Sequence, residues 1–164
     1  KRIPAVFVCE NNLYSVHSPM SVRQPEGRSI WEFGRVYGME GLVGDGNNIT
    51  EVWQLGGHAV DKARRGEGPT LLELNTYRWM EHCGPKDDSD LGFRSEEALL
   101  NWKKLCPVDS CKKELINGGL LTEAAYTKMV NEIESEIEES IAFAKSSPFP
   151  SADELGRHLY PAKE

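Results

Sequence analysis

The chain has 164 residues, room for one hydrophobic core, and its 39% hydrophobic and 27% charged residues match a globular protein. A net charge of −7 argues against nucleic-acid binding, which needs a basic, phosphate-tracking face. Cys9, Cys83, Cys106 and Cys111 are too few and too scattered for a disulfide scaffold, and no apolar stretch approaches the length that spans a bilayer.

The chain opens on Ile3-Pro4-Ala5-Val6-Phe7-Val8-Cys9, a continuous apolar run of the kind that forms a buried strand in a parallel sheet. Such a strand needs neighbours on both sides, so a segment ahead of Lys1 is expected. With no leader-like segment either, the expected compartment is the cytoplasm. Glu10-Asn11-Asn12-Leu13-Tyr14 reads as a polar turn, and Ser18-Pro19-Met20 and Gln24-Pro25-Glu26-Gly27 punctuate an irregular loop.

Ile30, Phe33 and Tyr37 stand at helical spacing and predict a short helix over 29–37, closed by Gly38. Leu42-Val43 is a second strand, ending in Gly44-Asp45-Gly46-Asn47-Asn48. A helix over 50–65 follows, with Val52, Leu55, Ala59, Val60 and Ala63 as its packed stripe and Asn47 or Asn48 as its cap. The third strand is 70–76, carrying Leu71, Leu72 and Leu74.

This alternation of strand and helix predicts a parallel α/β sheet with right-handed crossovers. Functional groups of such sheets gather at the carboxyl ends of the strands. Polar clusters lie at all three ends: 11–14, 45–48 and 77–83. Beyond Tyr77, residues 79–94 form a loop rich in Gly, Pro, Asp and Ser. Helices are expected over 95–105, 108–117 and 122–145, the last capped by Thr122 and carrying Met129, Ile133, Ile137 and Ile141 on one face. Glu132, Glu134, Glu136, Glu138 and Glu139 form its solvated face. A linker over 146–151 leads to a final short helix over 152–159. Trp31, Trp53 and Trp102 are expected to pack, and His58 and His158 to be surface or core-edge residues. Cys106 and Cys111, with four residues between them, have a weak metal spacing and no second pair.

Several blocks, in order, resemble one family. Val6-Phe7-Val8-Cys9-Glu10-Asn11-Asn12-Leu13-Tyr14 is similar to the strand and Glu-Asn-Asn-x-Tyr turn of the alpha subunits of thiamine-diphosphate-dependent 2-oxo-acid dehydrogenases, the pyruvate, branched-chain and acetoin enzymes. The resemblance continues through Val43-Gly44-Asp45-Gly46-Asn47, Gly66-Glu67-Gly68-Pro69-Thr70-Leu71-Leu72-Glu73, Thr76-Tyr77-Arg78, Phe93-Arg94-Ser95-Glu96-Glu97 and Gly119-Leu120-Leu121-Thr122. Any one block is weak; the ordered set covers nearly the whole chain.

The resemblance implies the C-terminal part of such a subunit, with an α/β fold. Residues 1–78 would be the C-terminal portion of the diphosphate-binding parallel-sheet domain, 79–94 the active-site loop, and 95–164 a helical C-terminal region. It implies thiamine diphosphate held through Mg²⁺, with the Asn12 side chain and the Tyr14 main-chain oxygen as ligands and an anionic Gly-Asp-Gly ligand ahead of Lys1. Asn11 would be structural; a plain turn is the alternative for both asparagines. His82 would contact the cofactor and act at the reaction centre, the alternative being an ordinary loop histidine. An imidazole can donate a proton or hydrogen bond near neutral pH. Arg78 would fix the loop by hydrogen bonds or stand in a simple ion pair.

Gly44-Asp45-Gly46 with Asn75 thirty positions on imitates the metal motif inside this chain, but it directly precedes a helix and reads as a turn and cap. The implied reaction is decarboxylation of a 2-oxo acid with transfer of the acyl group to a lipoyl carrier. The alternative is a transketolase-like or other thiamine-dependent ligase or lyase without a lipoyl partner. Implied partners are a beta subunit or fused beta half, a second alpha subunit and a lipoyl-bearing acyltransferase. One departure stands out. Glu81-His82-Cys83 replaces the usual Gly-His-Ser or His-His-Ser, so Cys83 stands where mitochondrial members carry a phosphorylated Ser.

Overall fold

The computed structural model describes residues 2–87 and 89–157. The chain divides into two compact units, Lys1–Glu114 and Leu115–Glu164.

In the first unit β1 (Val6–Asn11) leads into a hairpin of β2 (Tyr14–Ser15) and β3 (Ser18–Pro19) and one turn of helix, α1 (Met20–Arg23). A second short helix, α2 (Phe33–Val36), precedes β4 (Glu40–Asp45), α3 (Ile49–Arg64) and β5 (Thr70–Asn75). The three long strands form one parallel sheet in the order β1-β5-β4. Val6 to Asn11 run in register with Thr70 to Asn75, and Glu40 to Asp45 run in register with the same six residues. All three strands therefore end level, bringing Asn11, Asn75 and Asp45 to one edge of the sheet.

The central place of β5 follows from its composition. Thr70 (0% exposed), Leu72 (2%) and Leu74 (8%) are buried on one side, and Glu73 (3%) faces the other. A fully buried leucine contributes about 1.5–3 kcal/mol. Ala59 and Ala63 of α3 are the buried residues of that helix, small enough to let it lie close against the strands. The first strand was expected to have neighbours on both sides. Among the described residues β1 is an edge strand paired only with β5, and its Phe7 and Val8 are 45% and 56% exposed.

The helix expected over 29–37 is confined to Phe33–Val36. Before it the carbonyls of Ile30, Trp31 and Glu32 accept from amides three residues on, the spacing of a 3₁₀ turn, while the Trp31 amide donates to the Glu73 carboxylate and the Ser29 amide to Glu32 Oε2. Gly34 and Gly41 let α2 and β4 meet backbone to backbone, since a Cβ on Gly34 would stand 3.2 Å from Gly41 Cα and one on Gly41 would collide with the Trp31 carbonyl. In α3 the cap is Asn48, whose side chain accepts from the Glu51 amide at 3.2 Å. Trp102 packs, stacked on Tyr77 with ring centroids 5.5 Å apart, but Trp53 on α3 does not and is 80% exposed.

Glu40 ties β4 to α3. Its carboxylate meets His58 Nε2 at 3.1 Å and Lys62 Nζ at 3.4 Å. Partial burial works against its charge, but the hydrogen bonds and charges of His58 and Lys62 prevail and hold the carboxyl below the ordinary range. A carboxylate whose folded pKa is depressed stabilises the fold above its unfolded value, and that contribution is lost as pH falls through the folded value. Glu40→Gln is therefore expected to be less stable than the parent chain at neutral pH. The gap in melting temperature closes on acidification below the ordinary carboxylate range, and a gap unchanged by pH would refute the ion-pair account.

After the loop, a 3₁₀ turn (Ser89–Leu91) precedes α4 (Glu96–Lys103) and α5 (Pro107–Asn117). Ser95 caps α4 by accepting from the Ala98 amide, and Leu99 (5% exposed) is that helix's buried residue.

The second unit is dominated by α6 (Glu123–Ser146), capped by Thr122 through a 3.1 Å bond from the Ala125 amide. Its apolar stripe of Met129, Ile133, Ile137 and Ile141 is about half exposed, between 48% and 54%. The final helix expected over 152–159 is a 3₁₀ helix over Ala152–Gly156; residues from His158 onward, that histidine included, lie outside the described residues. Among the described residues no helix is long and apolar enough to cross a membrane, and no three His, Cys, Asp or Glu side chains gather as a metal cluster.

Candidate functional site

The site is built from two segments at the carboxyl end of the sheet: the turn that leaves β1 and the loop that leaves β5. In the turn each asparagine folds back on the chain. Asn11 Oδ1 accepts from the Leu13 amide at 2.9 Å and Asn12 Oδ1 from the Tyr14 amide at 3.0 Å. These two bonds hold Leu13 at φ 64°, a left-handed conformation rare outside glycine. Asn11 is buried (6% exposed), and its amide nitrogen donates to Glu73 Oε1 at 2.6 Å and to Met20 Sδ at 3.7 Å. A structural role for Asn11 agrees with that arrangement.

Asn12 is only partly buried, and one of the two lone pairs of its oxygen is taken by Tyr14 N. Opposite Tyr14 in the hairpin stands Pro19, which has no N–H to give. The ladder partner thus cannot claim the Tyr14 carbonyl. The turn therefore offers an amide oxygen and a main-chain carbonyl, the neutral oxygen donors that a hard cation such as Mg²⁺ accepts beside anionic ones.

The hairpin beyond it is strained. Val16 has φ 57°, costly for a β-branched residue. Two contacts from the loop hold it there. Arg78 Nη2 donates to the Val16 carbonyl at 3.4 Å, and the His17 ring lies 4.3 Å from that of Phe93. Tyr14 joins the same contact through a 3.5 Å bond from its hydroxyl to the Phe93 carbonyl.

His82 lies exposed on the loop, and Arg78 Nη1 is 3.0 Å from its Nδ1. A guanidinium only donates, so Nδ1 is the acceptor and the neutral ring carries its proton on Nε2. Arg78 thereby links the histidine to Val16, two residues beyond Tyr14. The next residues close a tight turn. The Glu81 amide donates to the Lys86 carbonyl at 2.7 Å, and the Glu81 carboxylate fills the space beside Gly84 that a Cβ would need. Cys83 is an exposed free thiol.

The second Gly-Asp-Gly behaves as a turn. Asp45 Oδ1 accepts from the Asn47 amide at 2.8 Å, Asn47 bridges Thr76 Oγ1 and the Leu105 carbonyl, and Asn48 caps α3.

Two buried charges that shape the site, Glu73 and Arg94, carry no role in the sequence reading. Glu73 binds Asn11 through one oxygen and the Trp31 amide (2.8 Å) through the other, joining β5, the turn after β1 and the segment before α2. Its signal was a lone carboxylate among the leucines of the strand. Arg94, 5% exposed, donates to the carbonyls of Arg78 and Met80. On β1, burial pushes the Cys9 thiol up, with Glu73 and Glu10 adding to the effect, which leaves it protonated and a poor nucleophile.

A parallel sheet with oxygen-rich turns gathered at its carboxyl edge defines an α/β protein with polar groups where such sheets place their functional sites. Residues 1–153 match the family model described as the dehydrogenase E1 component, and the chain belongs to that family. It is similar to the pyruvate dehydrogenase E1 component subunit alpha-3, chloroplastic, of Arabidopsis thaliana, 34% identical over 159 residues, covering 97% of this chain and 36% of the relative. The 2-oxoisovalerate dehydrogenase subunit alpha of Bacillus subtilis (strain 168) is 33% identical over 159 residues, covering 97% and 47%. The pyruvate dehydrogenase E1 component subunit alpha of Zymomonas mobilis is 31% identical over 163 residues, covering 99% and 45%. The chain thus spans less than half the length of these curated relatives.

Proposed function

We propose that this chain is part of a thiamine-diphosphate-dependent 2-oxo-acid dehydrogenase. It would supply neutral oxygen ligands for the cofactor's Mg²⁺ from Asn12 and the Tyr14 carbonyl, and a proton donor from His82. Residues 1–78, 79–94 and 95–164 would serve as the C-terminal portion of the diphosphate-binding domain, the active-site loop and a helical C-terminal region. The observation that carries this reading is the turn itself. Its two oxygens come from residues two positions apart, with the histidine loop fastened to the same hairpin through Arg78 and Val16.

These two ligands are neutral and fit a cation that also takes phosphate oxygens and one carboxylate. When bound, thiamine diphosphate supplies the electron sink that makes loss of carbon dioxide from a 2-oxo acid possible. Asn12 and Tyr14 would hold the metal and so fix the diphosphate end. His82 presents Nε2–H to the oxygen on which negative charge develops, while Arg78 holds the opposite ring nitrogen and keeps that tautomer. The acyl group would pass to a lipoyl carrier on an acyltransferase.

Completion of the site by a beta subunit or fused beta half, and pairing with a second alpha subunit, belong to the same proposal. The exposure of Phe7, Val8 and Trp53 supports it, because apolar surface of that kind is normally covered. Cytoplasmic localisation also belongs to the proposal, beside the chloroplastic and mitochondrial settings named for relatives.

The test is made on the complete protein with its partner subunit, stripped of cofactor and metal. Release of carbon dioxide from pyruvate or a branched 2-oxo acid is expected only after thiamine diphosphate and Mg²⁺ are restored, with acylation of an added lipoyl domain. Turnover with a free aldehyde as sole acceptor, and none with the lipoyl domain, would overturn the dehydrogenase assignment.

A further inference from the structure

The geometry points to Arg94 as a positioning residue that acts through His82, by holding the loop after β5 in step with the hairpin after β1. This inference rests on the function proposed above and adds a residue to it.

Arg94 is 5% exposed, and the cost of burying a guanidinium demands partners. Among those it finds are two main-chain carbonyls and three aromatic rings. Its Nη1 donates to the Arg78 carbonyl and its Nη2 to the Met80 carbonyl, at 2.5 and 3.4 Å. Its Cζ lies 4.8 Å from the centroid of the Tyr77 ring, 5.8 Å from that of Tyr14 and 5.9 Å from that of Phe93. One planar cation therefore touches both segments of the site. Its nitrogens grip the loop main chain on either side of Trp79, and its Cζ lies over aromatic rings from the loop and from the hairpin.

The consequence is carried one residue further. By fixing the Arg78 carbonyl, Arg94 sets where the Arg78 side chain begins, and that side chain reaches both His82 Nδ1 and the Val16 carbonyl. Arg94 never meets His82 in this chain of contacts; it determines where Arg78 can hold it. A lysine cannot replace it, because a single ammonium has neither the two-pronged fork nor the flat faces that this arrangement uses.

The experiment is a double-mutant cycle in the complete enzyme: parent, Arg94→Lys, His82→Ala and the double variant, with steady-state kinetics and amide hydrogen exchange over residues 78–83. Arg94→Lys is expected to lower kcat about 10- to 100-fold with little change in KM, as a misplaced catalytic group does. It should also raise exchange over 78–83 by about tenfold. On the His82→Ala background the same substitution should cost almost nothing further, because its effect runs through the histidine.

Additive losses in the cycle, or an Arg94→Lys enzyme with parental kcat and parental exchange, would overturn the inference. If His82→Ala itself retains kcat, the reading of His82 falls, and the exchange measurement alone then decides whether Arg94 holds the loop.

Discussion

Replacing Asn12 with alanine will weaken Mg²⁺-dependent binding of thiamine diphosphate by about 100-fold or more, whereas Asn12→Asp will keep most of it. The expectation follows from what the side chain does at the turn. Its oxygen accepts from the Tyr14 amide and retains a second lone pair, so truncation removes both the proposed metal ligand and the bond that brings the Tyr14 carbonyl round. Loss of an outer-shell partner alone costs about 10- to 100-fold in metal affinity, and an inner ligand should not cost less. Aspartate keeps an oxygen in the same place for both tasks and adds a charge that Mg²⁺ tolerates. The pair of variants thus separates ligation from folding. Binding is read in the complete protein by titration calorimetry at fixed Mg²⁺, with melting temperature as the fold control. An alanine variant that binds the cofactor like the parent would remove Asn12 from the metal site, and Tyr14 with it.

How much of this was legible in the sequence depends on the range of the interactions concerned. Local periodicity placed α3 and α6 within one residue at each end, because apolar spacing and caps are properties of adjacent turns: Asn48 and Thr122 both accept from amides three residues on. The parallel sheet was equally legible from apolar strands alternating with helices. The β2–β3 hairpin was not, since its bends fall on Leu13 and Val16, residues that ordinarily avoid positive φ. Leu13 is held by the asparagine side chains beside it, but Val16 is held by contacts from Arg78 and Phe93, more than sixty positions away. Glu73 and Arg94 escaped for the same reason. A charged residue in a sequence looks solvated until its partners are known, and Glu73 finds Asn11 62 positions back. The short α2 shows the reverse case, a helical spacing that yields one helical turn preceded by bonds only three residues apart. Asn12, Tyr14 and His82 could be named beforehand only through resemblance; the structure adds the hydrogen bonds that join their two segments.

The His82 variants will show whether that joined geometry has a chemical purpose. His82→Ala is expected to lower kcat about 10²- to 10⁴-fold, the range typical of a lost general acid. Asparagine at the same place is the more searching substitution. Its amide oxygen can accept from Arg78 where Nδ1 does now, so the loop keeps its anchor, but it has no group at the position of Nε2. If the histidine works by donating its Nε2 proton, His82→Asn will be as slow as alanine while hydrogen exchange over the loop stays parental. If the ring merely completes the Arg78 bond, asparagine will restore both the loop and the rate. Parental kcat in His82→Asn would therefore reduce His82 to a structural residue, and the proton would have to come from another subunit or from the cofactor itself.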